Sequence, residues 1–183
     1  MASKSTISRK SIDKVLVLFG IVATIVLLVV GSLAWWTYSF TTTNIKNELA
    51  SQKIFFPPKG SPALASPQIG PYLNQYAGQQ LLTGAEAKAY ANHFIAVHLS
   101  EIAGGQTYAQ VSAESLANPA NAQLKQEAQV LFQGETLRGL LLGDAYAFSM
   151  VAEVAQVVAY VLFAGGVVMF VLVLIGIVRI KLT

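Results

Sequence analysis

Two stretches without a charged residue constrain this chain more than any other feature: VLVLFGIVATIVLLVVGSLAWW, Val15 to Trp36, and VAQVVAYVLFAGGVVMFVLVLIGIV, Val154 to Val178. Wound as α-helices at about 1.5 Å per residue, they reach about 33 and 37 Å, enough to cross a hydrocarbon layer of about 30 Å. Charged residues make up 11% of the whole chain, against about 25% in ordinary soluble domains, and these two uncharged runs contribute to the deficit. The sequence therefore reads as two transmembrane helices with a more polar segment between them.

The flanks set the expected orientation. Lys4, Arg9, Lys10 and Lys14 precede the first run, and Arg179 and Lys181 follow the second. Lys and Arg beside a span are retained on the cytoplasmic side. Both basic flanks meet that rule only if the chain crosses outward and returns, which leaves both termini cytoplasmic and the middle outside. Trp35, Trp36, Tyr38 and Phe40 at the far end of the first run suit headgroup depth. A cleaved signal peptide is the rival reading, with Ser32-Leu33-Ala34 as the cleavage site, but the apolar run is long for one.

Between Lys46 and Asp144 the chain carries six basic and seven acidic residues, so its net charge of +3 belongs to the membrane flanks and implies no nucleic-acid surface. With no cysteine, disulfide scaffolds, thiolate metal sites and cysteine nucleophiles are excluded. The expected plan is an all-α membrane protein: a tail (1–14), a first span (15–36), an exit region and proline-rich arm (37–82), an extracytoplasmic helical domain (83–134), a membrane-proximal helix (135–153), a second span (154–178) and a second tail (179–183).

Inside lipid, where burial supplies no drive, small residues let helices approach. Gly20, Thr24 and Gly31 share a face of the first span, and Ala152, Ala155, Ala159 and Gly166 one of the second. These stripes serve either to pack the two spans on each other or to meet another subunit.

Ile54 to Pro71, IFFPPKGSPALASPQIGP, holds five of the six prolines. Proline fixes φ and removes amide donors, which predicts an extended arm without regular structure. Phe55 and Phe56 at its start either pack on the domain's own helices or lie against a partner. Thr83-Gly-Ala-Glu86 has the capping-box form and opens a predicted helix from Gly84 to Ala103, stopped by Gly104-Gly105. Asn118-Pro119 marks a second start, with its helix running to Phe132. From Glu135 a single long helix is expected to lead into the second span and end near Lys181. Gly139 and Gly143 form a flat face near its top, where close helix contact is expected.

Candidate chemistry is sparse. His93 and His98 lie five apart, about 140° around a helix, whereas a zinc pair on one helix uses a spacing of about four. His98 and Glu101 share a face, but the repeated Glu-x-x-His of a di-iron bundle is absent. No metal or cofactor is expected, and a surface or hydrogen-bonded histidine is the plainer reading. Glu153, Gln156 and Tyr160 share a face at the outer mouth of the second span, at headgroup level. The sequence contains no phosphate loop, dinucleotide fingerprint or nucleophile elbow.

Gly104-Gly105-Gln106-Thr107-Tyr108-Ala109 and Thr136-Leu137-Arg138-Gly139-Leu140-Leu141 resemble motifs, of the forms GGKTYA and LRASL, found in a family of small two-span actinobacterial membrane proteins of unknown function. The resemblance covers about residues 76 to 178, with Gln106 and Leu140 where the motifs have Lys and Ser. It implies a membrane protein of a Gram-positive envelope. Some members bear the label aromatic ring-opening dioxygenase, yet this sequence lacks the clustered histidine and glutamate ligands of such an iron enzyme. The expected function is that of a non-catalytic accessory subunit of a larger membrane complex, of respiratory or membrane-oxygenase type, in contact with lipid and other integral subunits. The alternative is a free-standing envelope protein that binds a lipid or small ligand in its helical domain.

Overall fold

A computed structural model describes residues 9–182, and every described element but one isolated β-bridge is helical. Of the expected amino-terminal tail, residues 1–8, Lys4 included, lie outside the described residues, as does Thr183. The chain divides into two compact units: the residues up to Ser39 with those from Ala152 onward, and Phe40–Val151.

The first unit is a pair of helices, each long and apolar enough to cross a membrane. Helix α1 spans Arg9–Gln52 and the last helix, α7, spans Ala147–Leu182. They run antiparallel. Gly20 of α1 faces Val173 of α7, Gly31 faces Phe163 and Leu162, and Gly176 faces Val17. The less exposed positions of α1 include Val17, Gly20, Thr24, Leu27, Gly31 and Ala34, and those of α7 include Ala152, Ala155, Ala159, Leu162, Gly166, Met169, Val173 and Gly176. Alternating steps of three and four average to about 3.5 residues, the period of a left-handed coiled-coil seam. Large side chains such as Phe19, Val22, Ile25, Val161, Val167 and Ile175 stay exposed on the outer faces. A core helix of a soluble protein would be mostly buried, whereas only 17% and 11% of the most apolar windows of the two helices are.

The second unit is built around Phe56, Leu73, Leu81, Ala91, Val111, Leu131 and Leu141. The proline-rich segment belongs to that core and is not the extended arm its composition suggests. After α1 ends at Gln52 and Lys53 takes a φ of 53°, residues 54–57 pair with 78–81: Phe56 N–H donates to Gln79 O at 2.9 Å, Leu81 N–H to Ile54 O at 2.9 Å and Gly78 N–H to Pro57 O at 3.0 Å. Within the closed loop, Ser61 caps a 3₁₀ turn at Pro62–Leu64, and a short helix α2, Gly70–Leu73, is followed by a 3₁₀ turn at Asn74–Tyr76. Proline suits the opening turn of such elements, where an amide donor would lack a partner anyway. The apolar residues among and beside the prolines, Phe56, Leu64, Ile69 and Leu73, are all buried and hold the loop down.

The next helix forms where expected but carries a π-helical stretch: α3 (Gly84–Tyr90), the π segment Ala91–Ile95 and α4 (Ala96–Ile102) follow without a break. Both halves of the capping box at Thr83 and Glu86 are present, and Gly104 and Gly105 take φ of 58° and 85° at the stop. Helix α5, Tyr108–Ala117, is an addition to the expected plan; it begins at a second capping box, Thr107 with Gln110, inside the GGQTYA motif. Two further expectations are corrected. Asn118-Pro119 forms a turn, and α6, Ala122–Leu140, starts at Asn121, whose side chain accepts from Gln123 and Leu124 N–H. Nor does a helix begin anew after Gly134, since α6 passes through it and continues by the π segment Leu141–Tyr146 into α7. At Gly134 α6 passes close to α4, and a Cβ there would press on the buried Leu99 side chain.

Candidate functional site

The small residues singled out in the spans line the seam between α1 and α7, where Gly20, Gly31 and Gly166 each face a large side chain of the other helix. Gly20, Thr24, Gly31, Ala159 and Gly166 are buried in the α1–α7 seam and Ala155 is half-buried there. Thr24 Oγ1 donates to Gly20 O at 2.8 Å, so its hydroxyl is satisfied within its own helix. Gly176, outside the stripes read from the sequence, belongs to the same seam: a Cβ on it would stand 2.6 Å from Val17 Cγ2. Where the seam ends, Arg179 Nε lies 3.5 Å from Asp13 Oδ2. On α7, Gln156 Nε2 donates to the Tyr160 hydroxyl at 3.4 Å, the Tyr160 ring packs 5.9 Å from Trp35, and Glu153 is exposed.

The two phenylalanines of the proline-rich segment part company. Phe56 is buried, edge-on to Tyr90 at 5.4 Å and tilted against Tyr76 at 5.1 Å, whereas Phe55 is exposed. His93 stacks flat on Tyr72 at 3.6 Å. His98 Nδ1 is 2.7 Å from Phe94 O, and since a carbonyl only accepts, that nitrogen carries the ring proton. Glu101 is exposed, and among the described residues no three His, Asp or Glu side chains gather as a metal site would need. Gly139 and Gly143 are exposed, and a Cβ added to either would meet nothing within 4 Å, so the close contact expected there is not made among the described residues; the buried side of this stretch is Leu141 and Ala145.

In the resemblance motif at 136–141, Arg138 ties α6 to the first π segment. Its Nη2 donates to Asn92 Oδ1 at 3.3 Å and its Nη1 to Glu135 at 3.2 Å, while Nε is buried with no hydrogen-bond partner among the described residues.

An apolar groove lies between the end of α1 and the α6–α7 stretch, within the second unit. It is an open groove of about 450 Å³. Ile45, Leu49, Leu141 and Ala145 form its floor, and Phe40, Leu137, Leu140 and Phe148 line its sides. Phe40, Leu140 and Phe148 remain 53%, 54% and 56% exposed, three large apolar side chains along one open face. Thr41, Asn44, Glu48, Gln52 and Asp144 supply the polar edge. Glu48 and Asp144 are the only charged residues lining it, and no hydrogen bond or ion pair engages either carboxylate among the described residues. Such a surface can bind an apolar body and discriminate by charge. The steps Thr41, Ile45, Glu48, Leu49 and Gln52 continue the period of α1 past Trp36, but nothing local to them identifies the opposite wall, which comes from residues about 90 positions away.

Comparison of the chain with protein-family models, curated proteins and solved structures finds no match in any of the three.

Proposed function

We propose that this is a two-pass membrane protein with both termini in the cytoplasm, and that it serves as a non-catalytic accessory subunit of a larger membrane complex, engaging another integral subunit through its helical unit. The observation that carries this reading is the open apolar groove of that unit, whose exposed Phe40, Leu140 and Phe148 call for a cover. The antiparallel seam supports the topology, because it gathers Arg9, Lys10 and Lys14 at the same end of the helix pair as Arg179 and Lys181. With the small-residue stripes engaged in that seam, the partner contact is drawn from the groove. The test is purification of the tagged full chain from its native membranes in mild detergent. Co-elution with another integral membrane protein in fixed proportion is expected, and elution of the chain alone would sink the reading.

The ligand-binding alternative is favoured by one quantity, the groove volume of about 450 Å³, which lies in the range of small-molecule sites. It moves from the helices after Thr83 to the α1 groove. Extraction of the purified protein with organic solvent, followed by mass spectrometry, would then return one amphiphile at near-stoichiometric amount.

A further inference from the structure

Resting on the accessory-subunit reading, we propose that the groove receives one helix of the partner, apolar along the face that enters and carrying Lys or Arg at its margin. Shape is the first argument. From Phe40 to Gln52 the groove follows about three turns of α1, roughly 18 Å, and both of its walls are helical. Its second wall includes the π segment Leu141–Tyr146, a local widening that sequences keep mostly where it serves a function. An apolar floor between two helical walls is the form in which a helix is bound by its i, i+3, i+4 and i+7 side chains.

Charge then selects among occupants. Glu48 stands on one wall and Asp144 on the other, and among the described residues no basic side chain lines the groove. Any body that covers the floor draws water away from both carboxylates, which disfavours an uncharged or acidic occupant and favours a cation beside each. A second copy docked groove to groove by a two-fold axis would bring four carboxylates together, so self-pairing is opposed. An acyl chain would cover the floor and leave both carboxylates without counter-charge.

The test places the photo-cross-linker p-benzoylphenylalanine at Leu140 of the full chain in native membranes, with the exposed Gly139 as the off-groove control position. Cross-linked peptides are identified by mass spectrometry. Expected is an adduct from Leu140, absent from Gly139, on a helix of another integral membrane protein with Lys or Arg within one turn of the attachment point. Glu48→Lys with Asp144→Lys should lower its yield by about tenfold, and Glu48→Gln with Asp144→Asn should lower it less. Exchanging the partner's basic residue for Glu should restore yield to the Lys variants. Both carboxylates are exposed and unpaired, so these variants should keep the circular dichroism of the parent chain. Adducts on lipid, on a second copy, or on a segment without basic residues would overturn the proposal, as would a yield indifferent to charge reversal. If a partner still co-purifies while Leu140 gives no adduct with it, the groove assignment falls and the accessory reading stands; if the chain elutes alone, both fall.

Discussion

Gly84 and Gly139 both stand in helices, yet they face opposite constraints. A Cβ at Gly84 would lie 2.9 Å from the carbonyl oxygen of Ala145 and would overlap the Ser149 side chain, whereas one at Gly139 meets nothing within 4 Å. Gly84→Ala is therefore expected to destabilise the protein by about 1–3 kcal/mol, the usual cost of overpacking. Gly139→Ala should stabilise it by about 0.5–1 kcal/mol, because alanine loses less backbone entropy in a helix interior. Denaturant unfolding of both variants in the same detergent checks the contrast. Burial raises the Tyr90 hydroxyl above its ordinary value near 10. The folded state then keeps its proton where the unfolded state has lost it, so this contribution to stability is complete below pH of about 10 and is lost as pH rises through the folded value. Unfolding midpoints between pH of about 9 and 11 should fall with pH, less steeply in Tyr90→Phe.

Among elements, capping chemistry was legible where the cap and its reciprocal partner are adjacent in sequence, as at Thr83 and Glu86. It failed at Asn118-Pro119, because Asn121, three residues on, offers its carboxamide to two free amides and wins the start of α6. Asn121→Ala should accordingly cost about 1 kcal/mol, and a neutral result would restore the start at Asn118. In the helix pair, Gly20→Leu or Gly176→Leu should drive the seam apart, since Val173 Cγ2 and Val17 Cγ2 each stand 2.6 Å from the Cβ that would be added. A loss of about 1–3 kcal/mol is expected, against little change for the outward-facing Val22→Leu. Thermal melting in one detergent compares the three. The proline-rich segment shows how composition misleads: proline argues against helix and sheet, but it also lowers the entropy lost on ordering a compact loop. Four buried apolar side chains, Phe56, Leu64, Ile69 and Leu73, then suffice to close it.

At the scale of the molecule, the absence of cysteine makes the chain a clean background for labelling. Cysteines placed at Lys10 and at Lys181 should react with a membrane-impermeant maleimide only after cells are opened, and one at Gln123 should react in intact cells. Labelling of Lys10→Cys from outside would overturn the proposed orientation. By itself the sequence determined the two apolar helices and the small-residue faces between them, because length, hydropathy and a helical repeat are properties of contiguous residues and need no knowledge of distant ones. The closure of residues 54–81, the unbroken run of α6 through Gly134 and the groove were decided only by tertiary structure. Each depends on side chains brought together from far along the chain, Phe56 on Tyr90, Leu99 on Gly134, Ile45 and Leu49 beside Leu141, and on apolar burial, which is indifferent to the order in which residues are written.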